Sequence, residues 1–280
     1  MLSHPILMQY RFSEPRSADG FRINSLGSKT RLSYLSGGLS GAFEHIDKPQ
    51  PNSELFEWID MLDAVFTAKS RATIADLGAG YGRVLVNAAQ AARQLRKDFM
   101  LIGVEAERTH FEWMLEHFAD NGVLPSQYVA AQAPITDESR TVFFTEGHPH
   151  EWYGQSVIES EHAGYGNWLN ARVVTLQSIA ASTVLQDFDR IDALHMDIQG
   201  QEFSVFEAMI ELVKARVRRV HIATHSREID GKFEALFSTL GWTPRFRFPC
   251  GAKGVRTDYG LIDFCDGVQS WLNPGLETKG

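Results

Sequence analysis

The run Ile74-Ala75-Asp76-Leu77-Gly78-Ala79-Gly80-Tyr81-Gly82-Arg83 constrains the fold more than any other part of this chain. An apolar strand with an acidic residue passes straight into three alternating glycines. The helix-compatible run Val84 to Leu95 follows, with alanines and leucines on one face. Glycine lets the backbone turn sharply and approach a ligand closely, and a helix N-terminus beyond it offers free N–H groups. Strand, turn and helix therefore read as an element that cradles a nucleotide, although the same turn also serves packing alone in many α/β proteins. The spacing is Gly-x-Gly-x-Gly, whereas the dinucleotide fingerprint is Gly-x-Gly-x-x-Gly.

Further acids and histidines sharpen this reading. Asp76 is unexpected in a turn built to hold a pyrophosphate and suits a ligand with a cationic or amine-bearing portion, such as S-adenosylmethionine. Phe99 to Glu105 reads as a short buried strand ending in a carboxylate, about twenty residues beyond the glycine turn. In a doubly wound sheet this places Glu105 at the carboxyl end of the neighbouring strand, where it can accept hydrogen bonds from ribose hydroxyls. The same position serves NAD enzymes, and an acid there can also cap the next helix. Ile191 to Ile198 is a further strand, on which alternation puts His195 and Asp197 on one face. A carboxylate near the end of a central strand needs a ligand, a cation or hydrogen bonds to compensate it. His225 falls at the end of the next strand, Arg219 to Thr224, on the side of the sheet where ligands bind.

The alternation of helix and strand from Ser53 onward predicts an α/β fold: a mostly parallel sheet with helices on both faces. The expected helices are Leu55 to Phe66 with Ser53 as N-cap, Arg83 to Leu95, Glu107 to Asn121, Gln201 to Lys214 and Ile229 to Leu240. Thr243 to Phe248 and Tyr259 to Phe264, joined by a glycine-bearing loop, are expected to form a C-terminal antiparallel hairpin. Residues 1–52 read as an irregular segment whose aromatics pack on the domain, 53–274 as the domain itself, and 275–280 as a tail. Within the domain, residues 133–185 break the rhythm as an insertion. At 44% hydrophobic and 22% charged residues the composition is that of a soluble globular protein. A net charge of −8 argues against nonspecific nucleic-acid or anionic-membrane binding. Two cysteines, Cys250 and Cys265, and a start without a charged and apolar leader suggest a cytoplasmic protein.

The stretches Asp76 to Gly82, Val104 to Glu107, Met196-Asp197-Ile198-Gln199-Gly200-Gln201-Glu202, Thr224-His225-Ser226, Gly241-Trp242 and Asp266 to Pro274 resemble the FkbM-type S-adenosylmethionine-dependent methyltransferases. Family members often carry Asn where this chain has Tyr81, and Glu where it has Gln199. The resemblance implies a class-I, Rossmann-like methyltransferase sheet and methyl transfer to a hydroxyl of a small metabolite, sugar or natural product. It implies cofactor contacts at Asp76, Gly78, Ala79, Gly80, Glu105, Ala106, Gln132 and Asp197. Asp197 and His225 are the candidate general bases, with His195 behind them. The irregular segment Gly147 to Asn170, with Tyr165 and Trp168 as flat surfaces for the acceptor, is expected to roof the site together with Tyr34 and Phe43. No metal is expected. An NAD-dependent oxidoreductase and a noncatalytic cofactor-binding module are the two competing readings.

Overall fold

The computed structural model describes residues 4–35, 47–149, 154–158, 160 and 171–276. Its main sheet comprises β1 (Arg71–Leu77), β2 (Asp98–Glu105), β3 (Tyr128–Gln132), β4 (Ala193–Met196), β5 (Arg219–Thr224), β6 (Thr243–Phe248) and β7 (Gly267–Leu272). The spatial order is β6-β7-β5-β4-β1-β2-β3, and β7 alone runs antiparallel to its neighbours. Helices α1 (Glu54–Thr67), α2 (Arg83–Gln94) and α3 (Arg108–Asp120) cover one face. On the other lie α4 (Ala181–Leu185), α5 (Glu202–Ala208), α6 (Ile210–Arg216) and α7 (Arg227–Leu240). Strand alternation decides which residues serve which core. Ala72 and Ile74 of β1 join the cluster beneath α1 to α3, while Ala75 and Leu77 join the opposite one.

The expected α/β class and the mostly parallel sheet are what the chain adopts. Its C-terminal arrangement differs from the expected hairpin. Thr243 to Phe248 pairs with Gly267–Leu272, whereas Gly260–Ile262 pairs only with Val255–Thr257 in a small ribbon of its own. The helix expected over Gln201 to Lys214 breaks at Met209 into α5 and α6. Ser53 adopts helical backbone angles and makes no side-chain cap for α1. Residues 16–31 hold a three-stranded antiparallel sheet, where an irregular segment was expected. This sheet docks on α2 and α3 through polar contacts: Asn24 Nδ2 donates to Asn87 Oδ1 at 2.9 Å, and Lys29 N–H to Asn121 Oδ1 at 2.8 Å. Within the insertion, Thr141–Glu146 pairs with both Arg172–Gln177 and Val157–Ile158.

A layer of charge is buried between α1 and the sheet. His195 Nδ1 donates to Asp76 Oδ1 at 2.8 Å, and its Nε2 lies 3.3 Å from Glu57 Oε2. Arg83, the first residue of α2, reaches Glu57 at 2.9 Å and Glu54 at 3.5 Å. Beside this chain, His221 Nδ1 donates to Asp60 Oδ2 at 2.7 Å, and the two imidazoles stack at 5.5 Å. Burial works against each charge, so only the pairing makes the layer tolerable. Against that burial, Arg83 and the His195 hydrogen bond hold Glu57 down to about 2. His195 is itself driven well above its ordinary value: burial opposes its charge, and Asp76 and then Glu57 overcome it.

These two shifts set a pH window for stability. The Glu57 contribution is present above the unfolded carboxylate value, about 4.3, and is lost as pH falls toward 2. The His195 contribution is full below about 6.5 and is lost as pH rises toward its elevated folded value. Calorimetric melting should therefore give its highest Tm near pH 5–6.5 from this layer, with a decline on both sides. His195→Gln should flatten the alkaline decline, and an unchanged alkaline slope in that variant would assign the loss to other groups.

Candidate functional site

The site forms where the sheet order reverses, at the carboxyl ends of β1, β2 and β4. The loop after β1 turns on Gly78, Gly80 and Gly82, with φ of 84°, 53° and 77°, a region that favours glycine. The Gly78 and Ala79 N–H groups both donate to Val104 O at 2.9 Å, tying the loop to the end of β2. Gly78 is required for a second reason. A Cβ there would lie 1.9 Å from the Asp197 carbonyl oxygen, so the loops after β1 and β4 touch backbone to backbone. Tyr81 packs its ring between Tyr34 and His117, and its carbonyl lies 2.9 Å from His117 Nδ1.

Between these loops lies a cleft that opens to solvent and is lined by Gly78, Gly80, Glu105, Ala106 and Asp197. Glu105 stands at its centre. Its Oε2 accepts the Gly80 N–H at 2.7 Å and its Oε1 the Glu107 N–H at 2.7 Å. Burial raises the Glu105 carboxyl, while His110 and the two N–H donors pull it back. Each oxygen keeps a further lone pair for a donor in the cavity. The helix cap is Glu107, which accepts the His110 N–H at 2.7 Å, so Glu105 is left for another task.

Asp197 closes the opposite side of the cavity. Its N–H donates to Leu77 O at 2.9 Å, and Gln199 Nε2 donates to its Oδ1 at 2.9 Å. Burial pushes its carboxyl up to about 6, although His225 and His195 counter the effect. His225 stands beside it. Nε2 lies 3.4 Å from Asp197 Oδ1 and 3.8 Å from Asp266 Oδ1, and Nδ1 donates to Glu202 Oε1 at 2.8 Å. Burial disfavours the imidazolium, but the Glu202 hydrogen bond and the three carboxylates push it up to about 9.

The expected site residues divide by position. Gly78, Gly80, Glu105, Ala106 and Asp197 line the cavity, and His225 adjoins Asp197. Asp76 does not reach it: the cation that Asp76 meets is His195, beneath the sheet. His195 commits its ring to Asp76 and Glu57 between α1 and the sheet, while Asp197 follows the end of β4 at Met196. Ala79 packs into the core under α1 and α2, and Gln132 is exposed on edge strand β3; neither lines the cavity. Their neighbours Ala133, Pro134 and Ile135 form its wall instead. Of the expected roof, Gln155, Ser156 and Val157 line the cavity, with Phe144 and His110 beside them. Tyr165, Trp168 and Phe43 lie outside the described residues. Tyr34 stacks on Trp113 at 4.6 Å and does not line the cavity. Glu202 and Asp266 lie within the Asp197-Ile198-Gln199-Gly200-Gln201-Glu202 and Asp266 to Pro274 stretches, where nothing local assigns either a role. Among the described residues, no group of three or more His, Cys, Asp or Glu is arranged to hold a metal ion. No helix there is long and apolar enough to cross a membrane.

Residues 76–246 match the model of the methyltransferase FkbM domain, which is more than half of the chain. A protein of Jannaschia sp. (strain CCS1), named "Putative methyltransferase", is 26% identical over 196 residues, covering 68% of this chain and 69% of that protein. Among solved structures, the FkbM methyltransferase of Methylobacillus flagellatus KT aligns with 11% identity and a TM-score of 0.47, over 82% of this chain and 58% of that one. The precorrin-6y C5,15-methyltransferase of Geobacter metallireducens GS-15 aligns with 11% identity and a TM-score of 0.44, over 80% and 90%.

The contact between the loops after β1 and β4 gives a direct test. Gly78→Ala must move the Asp197 carbonyl and also hold alanine at positive φ, a conformation costing about 1–3 kcal/mol by itself. The variant should melt several degrees lower. Wild-type stability in Gly78→Ala would show that the two loops yield freely.

Proposed function

We propose that this chain, which belongs to the FkbM methyltransferase family, binds S-adenosylmethionine between Glu105 and Asp197 and methylates a hydroxyl oxygen of a small acceptor: a metabolite, sugar or natural product. The observation that carries the reading is Glu105. It is held at the end of β2 by the Gly80 and Glu107 N–H groups, with lone pairs left for two ribose hydroxyls. Membership of a methyltransferase family leaves the oxidoreductase reading without support.

When bound, S-adenosylmethionine supplies an electrophilic methyl on a sulfonium sulfur. The glycine loop and Glu105 fix the nucleoside, and the walls from Ala133 to Ile135 and Gln155 to Val157 keep water from it. Holding the acceptor close to the cofactor and correctly oriented would supply much of the rate. With a hydroxyl held beside it, Asp197 would take the hydroxyl proton and pass it on to solvent. Asp197, raised to about 6, is ionised at neutral pH and yet basic enough to take it. His225, raised to about 9, is an imidazolium there and cannot act as the base. Its Nε2–H makes no hydrogen bond within the protein and faces Asp197, the base. Of the two bases expected from sequence, this reading retains Asp197 and recasts His225.

Calorimetry should detect S-adenosylmethionine binding, weakened by about 1–3 kcal/mol in Glu105→Ala. Tight NAD binding without S-adenosylmethionine binding would overturn the assignment. Turnover should rise with pH through about 6, as Asp197 ionises, and fall through about 9, as His225 loses its proton. Asp197→Asn should lower kcat by roughly 10²–10⁴ with a smaller effect on cofactor affinity. A pH profile without the acid limb would remove Asp197 from the role of base.

A further inference from the structure

One carboxylate oxygen joins the two halves of the acceptor side. Glu202 is fully buried at the start of α5, and its Oε1 receives three donors. Two are backbone: Ile198 N–H at 3.2 Å and Gly200 N–H at 2.9 Å. These close the turn after β4, in which Gln199 and Gly200 take φ of 54° and 101°. Positive φ at Gln199 is unfavourable for a side-chain-bearing residue, so the turn needs such an anchor. It is this turn that presents Asp197 to the cavity. The third donor is His225 Nδ1–H at 2.8 Å, from the end of β5.

We infer that Glu202 is a positioning residue: through one oxygen it holds the Asp197 turn and the His225 ring in register, and by its charge it keeps that ring a donor toward Asp197. The inference rests on the assignment of Asp197 and His225 made above. With Nδ1–H committed to Glu202, the remaining ring proton must sit on Nε2. Nε2 points to Asp197 and Asp266, at 3.4 and 3.8 Å. The charged groups facing the ring are Glu202 of α5, Asp197 after β4 and Asp266 before β7. Asp230 of α7 is turned to the Thr224 hydroxyl and to Cys250 N–H. Glu202 is the charge in direct hydrogen bond and shielded from solvent, whereas the Asp266 side chain is half exposed. It is therefore the least screened of the three.

Glu202→Gln separates geometry from charge, since an amide oxygen can still accept all three donors. The readout is ¹⁵N-histidine NMR across pH 5–10, with the His225 signal identified by its loss in His225→Gln. No methyl acceptor is needed. In wild type both ring nitrogens should be protonated at pH 7.5. In Glu202→Gln the His225 titration should fall by at least one pH unit, with the neutral ring keeping its proton on Nδ1, where the amide oxygen accepts it. Asp266→Asn should move it less. A wild-type His225 that titrates near 6.5 overturns the inference without any variant. So does a Glu202→Gln protein that melts lower but titrates unchanged, which is the outcome of a merely structural role. Titration with S-adenosylhomocysteine is read separately: absence of binding with the His225 shift intact rejects the proposed cofactor and leaves the role of Glu202 standing.

Discussion

The site depends on one contact between two pieces of backbone. β1 and β4 are neighbours in the sheet, with Leu77 beside Met196, so their trailing loops leave the sheet at the same place. Gly78 can pass within touching distance of the Asp197 carbonyl only because it has no side chain. Once that contact is made, the glycine loop, Glu105 and Asp197 have little freedom left. Val104 O fixes the loop to β2, and Leu77 O fixes Asp197 to β1. The cavity is thus a by-product of sheet order, and its shape is set by hydrogen bonds that any ligand finds already made.

Charge is divided between the two sides of this contact. Asp76, His195, Glu57 and Arg83 form a closed chain under α1, in which every charge meets an opposite one. This layer links the strand before the glycine loop to the helix after it, since Asp76 precedes Gly78 and Arg83 begins α2. At the sheet edge the balance is different: three carboxylates surround His225, and Asp197 keeps a third of its side chain open. Saturated pairing stabilises, whereas an uneven cluster leaves groups able to exchange a proton.

The parts legible in the sequence are those that local pattern determines. The glycine loop, Glu105 at a strand end and the alternation of helix and strand all follow from composition within a dozen residues. Asp76 and His195 were misplaced for the opposite reason. Alternation tells which face a strand residue takes, but their partner Glu57 comes from a helix that no local pattern brings across the sheet. β7 was missed because Gln269 and Ser270 interrupt its apolar character. Both are buried, and Gln269 Oε1 accepts the Trp271 indole N–H at 3.0 Å. The break at Met209 has no glycine or proline to announce it.

The place of β7 bears on how the molecule is made. This strand lies between β5 and β6, yet it follows both in the chain. From the synthesis of residue 224 until residue 267 emerges, β5 presents an unpaired apolar edge, and β6 has no neighbour at all. Open edges of this kind invite pairing with other chains. The same event that closes the gap sets Gly267 against Thr224 and so brings Asp266 to His225. The glycine loop thus precedes by nearly two hundred residues in the chain the strand that brings Asp266 to His225.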